Sequence, residues 1–312
     1  MDFKRLGYFV QIAELGSLTR ASERLHIAQP SLSRQMRLLE EELGAQLFTR
    51  RHRGMELTEA GEALRARITG PMRQIGHAFY EIRSLPSETG GNVVFGMPPT
   101  IVPMLAGPLA RRVATDAPNI SLRIVDAHTG HLLEWIRRGE LDAAILYGPT
   151  PAGLNATKLL EDELVLLGPP GAPLPAEGGI EFARLADLPL ILPSHEHGLR
   201  AAVETAAAKA RAKLNVHIQA DSFHLMKELV RSGLGYGVLP LHAFDRTGGD
   251  RKLAFARIRN PAVMRHLFHA MQSGAQSPRA VLQVEDFLRQ EIAALVASGQ
   301  WPAARVLGAG DS

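Results

Sequence analysis

Leu25-His26-Ile27-Ala28-Gln29-Pro30-Ser31-Leu32-Ser33-Arg34-Gln35 is the stretch on which the reading of this chain turns. Pro30 suits the first turn of a helix, where its missing N–H would have no partner in any case. Leu32, Met36, Leu39 and Leu43 then fall within a narrow arc, so the segment reads as an amphipathic helix facing a core, ended by Gly44. Ahead of it, Leu18 to Leu25 reads as a shorter helix that Ser17 can cap, with Ala21 and Leu25 inward and His26-Ile27-Ala28 as a brief turn. A first helix, Phe3 to Leu15, carries Phe3, Leu6, Phe9, Val10 and Ala13 on one face and stops at Gly16. Two helices joined by a tight turn, the second opened by polar residues, form the helix-turn-helix layout.

The exposed face of the third helix holds Pro30, Arg34 and Arg37, flanked by Ser31 and Ser33, with Gln29 at its N-terminal end. Arginine can bond bidentately to guanine, glutamine to adenine and serine to base or phosphate, so the set fits recognition of a duplex. Taken alone, Arg34 and Arg37 could equally solvate an exposed face. Leu47-Phe48, a cluster from Thr49 to Gly54 and Met55-Glu56-Leu57 read next as a short hairpin with Arg50, Arg51 and Arg53 at its tip. Three arginines in a loop mean little alone. Beside a recognition helix they become phosphate or minor-groove contacts.

Thr58 can cap a long helix from Glu59 to about Leu85, apolar at Leu64, Ile68, Met72, Ile75, Phe79, Ile82 and Leu85, a stripe that wants a partner helix. Gly70-Pro71 lies inside it and predicts a kink or break. Pro86 to Gly91 reads as a boundary. Beyond it, apolar strands alternate with helices, which signals α/β architecture. Strands are expected over 93–97, 122–125, 143–147, 164–168, 190–193, 216–219, 237–239, 253–258 and 267–271. Helices are expected over 102–115, 131–138, 199–212, 223–232 and 280–296. The Pro/Gly-rich stretch 168–179 is a natural place to cross into a second lobe, and residues from Gly299 on read as a frayed tail.

Composition narrows the function classes. The chain has 312 residues, 46% apolar and 21% charged, enough for two or three folded units. With no cysteine, disulfide frameworks, zinc fingers and thiolate chemistry are excluded. The net charge of +3 is too small to argue for nucleic acid by itself. No signal-peptide core or membrane-length apolar run is evident, so the cytoplasm is the expected compartment. His195-Glu196-His197 has no evident third ligand, so no metal is expected. Gly233, Gly235 and Gly237 follow a helix and precede a strand, the reverse of a dinucleotide loop. No catalytic motif is present; neither enzyme activity nor a cofactor is expected.

Ser17-Leu18-Thr19-Arg20-Ala21-Ser22, the stretch from Leu25 to Gln35, Leu38-Leu39-Glu40, Leu47-Phe48-Thr49-Arg50 and Leu57-Thr58-Glu59-Ala60-Gly61 together resemble the LysR-type transcriptional regulators. Leu141-Asp142-Ala143-Ala144-Ile145-Leu146-Tyr147-Gly148 is similar to the nitrogen-assimilation-control branch of that family. The resemblance implies a multidomain α+β chain with a winged helix-turn-helix at 1–58 and a linker helix and hinge at 59–91. It further implies a two-lobed α/β effector domain like the type 2 periplasmic binding proteins at 92–300. Lobe I would comprise about 92–162 and 266–300, lobe II about 163–265, with a tail at 301–312. It also implies a homodimer through the linker helix, further assembly to a tetramer, and binding to imperfect dyads of double-stranded DNA near promoters. RNA polymerase is a partner if the protein activates.

By the same resemblance a small-molecule effector, an organic acid or other anion, would lie between the lobes. Pro98, Pro99, Thr100, Thr129, Gly130, Ser194, His195, His197 and Ser222 would touch it. Each could instead be a helix cap or an ordinary loop residue. Two other functions stay open at this level: a constitutive regulator whose rear domain only assembles oligomers, and an enzyme or solute-binding protein with a DNA-binding head.

Overall fold

The computed structural model describes residues 2–51, 54–83, 89–148, 152–175, 177–195, 197–244, 250, 252–273 and 277–307, with backbone alone for Glu81 and Arg83. The chain divides into an N-terminal unit, Met1–Ser87 with Arg138–Glu140, and a C-terminal unit, Glu88–Arg137 with Leu141–Ser312.

In the N-terminal unit, α1 (Phe3–Leu15), α2 (Leu18–Leu25) and α3 (Gln29–Leu43) precede a hairpin of β1 (Phe48–Arg51) and β2 (Gly54–Leu57), followed by α4 (Glu59–Arg83). Local chemistry sets the boundaries. The Ser17 hydroxyl accepts from the Arg20 N–H at 3.3 Å and so caps α2. Gly16 and Gly44 close α1 and α3 in the left-handed conformation. Phe9, Ile12, Ala21, Leu32, Met36, Leu39 and Leu47 make the core. Glu40 reaches out of α3 to accept from the backbone N–H groups of Leu47 at 2.8 Å and Phe48 at 3.3 Å, tying the helix to the hairpin. The Thr58 hydroxyl accepts from Gly61 N–H at 3.0 Å. A Cβ on Gly61 would lie 2.2 Å from the Leu47 carbonyl oxygen, so only glycine lets α4 start this close to the wing.

One expectation for this unit fails: Leu43 is exposed, because periodicity assigns a residue to a face without fixing how far along the helix the covering layer extends. Of the kink or break expected at Gly70-Pro71, there is no break, since α4 continues through it; one missing N–H leaves the neighbouring helical bonds in place. Its apolar stripe has two fates. Leu64, Ile68 and Met72 pack on the winged-helix core, whereas Phe79 is 59% and Ile82 82% exposed. The expected end at Leu85 and most of the 86–91 boundary lie outside the described residues.

The C-terminal unit continues with β3 (Gly91–Met97), α5 (Val102–Asp116), β4 (Ile120–Asp126), α6 (Thr129–Arg137), β5 (Ala143–Tyr147), β6 (Leu154–Gly168), β7 (Ile180–Glu181), β8 (Leu190–Leu192) and α7 (Gly198–Ala210). Then come β9 (Val216–Gln219), α8 (Phe223–Arg231), β10 (Tyr236–Pro240), β11 (Ala254–Arg259), β12 (Val263–Gln272), α9 (Arg279–Ala297) and β13 (Ala304–Val306). The strand path is β4-β3-β5-β12-β6-β10-β8-β9. β3 is parallel to β4 and β5, β8 is parallel to β9 and β10, and β6 and β12 are antiparallel to each other.

Alternation explains why these strands read as unbroken apolar runs. Ala143, Ile145 and Tyr147 of β5 enter one core with α5 and α9. Ala144 and Leu146 enter a second, on the opposite face, with Leu132 and Ile136 of α6. A separate core forms the other lobe, with Leu190, Ile191, Val203, Met226 and Val230.

The chain crosses between lobes inside β6. Leu159 and Leu160 belong to the first lobe's core, Leu164 and Leu166 to the other's. The crossing therefore precedes the Pro/Gly-rich stretch at 168–179. β12 returns the same way, Val263 in one core and Leu267 in the other. Only the end of β6, 164–168, was expected as strand, because Glu161, Asp162 and Glu163 interrupt its apolar pattern.

The expected tail is also folded through Leu307. Trp301 is 1% exposed in the first lobe's core, and β13 pairs with β6. Gly299 reads as a chain end, but it serves as a turn that returns an apolar segment to the sheet. Trp301→Ala is expected to destabilise the effector domain by about 3–5 kcal/mol, the usual cost of emptying a buried aromatic site. A urea denaturation midpoint indistinguishable from that of the parent would contradict this placement.

Candidate functional sites

On the N-terminal unit, Gln29, Pro30, Ser31, Arg34 and Arg37 are exposed and Ser33 is half-buried, all on α3 or at its start. No side chain caps this helix, so its positive end is open to an external acceptor. In the hairpin, Arg50 and Arg51 are exposed; Arg53 lies outside the described residues. Arg51 donates from Nε to Glu56 at 3.1 Å across the hairpin, whereas Arg34, Arg37 and Arg50 form no ion pair among the described residues. Three exposed, uncommitted guanidinium groups on one helix and its wing are what a polyanion would engage. Sequence reasoning missed Glu40, whose role depends on a hairpin that folds back onto α3.

The effector-domain candidates converge on a cavity of about 510 Å³ between the two lobes. Pro98, Pro99 and Thr100 after β3 and Thr129 at the start of α6 line it from one lobe, and His197 and Ser222 from the other. Gly130, Ser194 and His195 are not part of the lining. His195 turns instead to Glu204, Nδ1 to Oε1 3.1 Å, and the Ser194 N–H donates to Asp221 Oδ1 at 2.8 Å.

Asp126, His128, Tyr147, Asp221 and Phe223 line the cavity too and were not foreseen. Asp126 and Tyr147 close strands, where α/β folds place ligands, so strand ends alone could have flagged them. No Lys or Arg is among the described lining residues; the basic side chains there are the histidines His128, His197 and His224. Among the described residues, no group of three or more His, Cys, Asp or Glu could hold a metal ion; Glu196 lies outside them.

Beside the cavity runs a buried polar chain. Asp162 and Arg265 face each other across β6 and β12, with Arg265 Nε 3.0 Å and Nη2 2.5 Å from Asp162 Oδ2. Burial pushes the Asp162 carboxyl up, but Arg265 and His242 outweigh it and hold it below the usual range. The Arg265 guanidinium lies 4.1 Å from the Tyr147 ring centroid and reaches Thr100 Oγ1 at 3.4 Å. Thr100 and Tyr147 share a 2.5 Å hydrogen bond, and burial raises the Tyr147 phenol well above its ordinary pKa. The same two residues thus face the cavity and touch the strand crossing.

His197 caps α7, its Nδ1 accepting from Leu199 N–H at 3.1 Å, which puts the ring proton on Nε2. Its pKa is pushed down to about 4, first by burial and then by His128, whose ring centroid is 4.8 Å away. Between the ordinary value of 6.5 and about 4 the unfolded chain therefore binds a proton that the native ring refuses. Stability declines as pH falls through that window and, for this group, no further below it. His197→Asn keeps a capping acceptor and removes the titration. It is expected to flatten the pH dependence of the urea midpoint across this range; a slope equal to the parent's would contradict the assignment.

The comparisons with known proteins agree with this geometry. Residues 3–62 match the family described as "Bacterial regulatory helix-turn-helix protein, lysR family" and residues 86–293 match "LysR substrate binding domain". The nitrogen assimilation regulatory protein nac of Klebsiella aerogenes is 32% identical over 283 residues, covering 90% of this chain and 92% of its own. Its Escherichia coli K12 namesake is 31% identical, with 96% of this chain and 99% of its own covered. A full-length OxyR variant from Pseudomonas aeruginosa superposes with a TM-score of 0.74 at 26% identity, covering 94% of each chain. CbnR in complex with its target DNA superposes at 0.66 and 20% identity, covering 93% of this chain and 100% of its own, a likeness of fold. The family consists of transcription regulators rather than enzymes, and this chain, with its helix-turn-helix and effector-binding domains, belongs to the LysR-type transcriptional regulators.

Proposed function

We propose that this regulator reads an imperfect DNA dyad near promoters through Gln29, Pro30, Ser31, Ser33, Arg34 and Arg37, and grips the flanking phosphates through Arg50, Arg51 and Arg53. The carrying observation is that Arg34 and Arg37 face solvent, without an ion pair among the described residues, on a helix that no described side chain caps. Such a face suits the major groove, base edges being reached by the first turns of a recognition helix. The bacterial cytoplasm, where the promoter DNA is, would be its compartment, and RNA polymerase its partner where it activates.

A dyad calls for two copies. Phe79 and Ile82 on α4, with Ile75 beside them, form an apolar stripe too exposed to be tolerated in a free monomer. A second copy's α4 would bury it as a coiled coil does, and two such dimers would make the tetramer. The inter-lobe cavity, lined by Pro98, Pro99, Thr100, Thr129, His197 and Ser222, is the effector site in this reading, with Gly130, Ser194 and His195 at its periphery. Its size suits a metabolite. An alternative, an effector domain that only assembles oligomers, is disfavoured by so formed a cavity.

Arg34→Ala is expected to cost about 1–3 kcal/mol at one base position and relax specificity there, whereas Arg50→Ala should weaken binding to all sequences and lower the salt slope by about one. Selection from random duplex pools at two salt concentrations measures both; the same sequence-independent loss from each would undo the division of roles. Phe79→Asp with Ile82→Asp should convert dimers to monomers in light scattering, and dimers of undiminished mass would rule out the α4 interface.

A further inference from the structure

Charge in the inter-lobe cavity runs against an anionic ligand. Asp126, at the end of β4, and Asp221, after β9, face it from opposite lobes, and its described lining includes no Lys or Arg. Asp221 is held below the usual carboxylate range, chiefly by the Ser194 N–H, so it is ionised at neutral pH. Three histidines, His128, His197 and His224, also line the cavity, and of these His197, whose ring caps α7, is neutral there. Arg265 is committed to Asp162 and stacks on the Tyr147 ring; it is not itself among the lining residues, although its charge still reaches His197.

Helix ends do not supply the missing positive charge. At α5 the amides are consumed: Ile101 and Val102 donate to the Pro98 carbonyl at 2.8 and 3.4 Å, Met104 to Ile101 at 3.0 Å, and Pro103 has no N–H. At α7, Leu199 N–H is taken by His197. The ends of α6 and α8 each carry about half a unit of charge, which fades within a turn, against two full carboxylates. A carboxylate or phosphate entering here would meet like charge at Asp126 and Asp221, both on the solvent-facing side of the cavity. The rest of the lining is largely apolar or aromatic, with Tyr147, Phe223, Val102, Leu199 and Met226.

Building on the effector-site reading above, we infer that the cavity takes an organic ammonium. The ligand carries a protonated amine set between Asp126 and Asp221, an apolar or aromatic body against Phe223 and Leu199, and no net negative charge. Simple amines and zwitterionic amino acids share this chemistry.

The test uses the full-length protein and probes matched in size but opposed in charge: 2-phenylethylamine against 3-phenylpropionate, putrescine against succinate, and L-leucine and L-phenylalanine as zwitterions. Thermal melting finds binders and titration calorimetry measures them. At least one amine or zwitterion is expected to bind saturably while the acids do not. Asp221→Asn keeps an oxygen to accept from Ser194 N–H and removes only the charge, so it should weaken that ligand at least tenfold, with an unchanged circular dichroism spectrum. Gly198→Phe adds bulk beside Tyr147 at a position where a Cβ meets only ordinary contacts, and it should abolish binding. An acid that outbinds its amine counterpart and is lost in Gly198→Phe overturns the ammonium and leaves the effector site standing. If no probe binds in a manner that Gly198→Phe removes, both readings fall.

Discussion

The Arg265–Asp162 pair sits where the C-terminal unit is most constrained. The two residues are direct partners across β6 and β12, the strands that carry the chain from one lobe to the other and back. Both are almost fully buried. A one-residue slip between these strands would part the two, and stranding one member of a buried pair costs about 3–5 kcal/mol. The pair therefore specifies register more than it adds stability. With the register set, the apolar residues of β6 and β12 fall correctly into two separate cores.

The same pair connects the cavity to the crossing. Thr100 and Tyr147 line the cavity, and both touch Arg265. The His242 ring bonds the Thr100 carbonyl at 3.1 Å and meets the Trp301 indole edge-on, with ring centroids 5.2 Å apart. The segment around Trp301 is thereby packed behind the loop that carries Thr100. A group that displaces Tyr147 or Thr100 changes the surroundings of a buried charge, and a low-dielectric interior makes such changes energetically large.

In the N-terminal unit, one carboxylate has the corresponding role. Glu40 fixes the start of the wing to the recognition helix through two backbone N–H groups, and Gly61 permits α4 to begin against the same segment. The exposed arginines can be long and mobile because the backbone beneath them is held by short, buried contacts. Specific contact to bases needs this rigidity of the scaffold more than rigidity of the side chains.

Local physics determined a good deal of this protein from its sequence alone. Caps, glycine stops and apolar arcs placed α1 to α3, the wing and most strands close to where they lie, because each depends on residues a few positions apart. Family resemblance located six of the residues that line the cavity. Contacts distant in sequence were left to the tertiary structure: whether Leu43 is covered, that the segment around Trp301 folds back onto the sheet, that β6 continues through Glu161–Glu163, and that Asp162 meets Arg265. The sign of the cavity was decided there as well. Asp126 and Asp221 belong to different lobes, and only folding shows that they line one space, with Arg265 paired to Asp162 behind its Thr100 and Tyr147 lining.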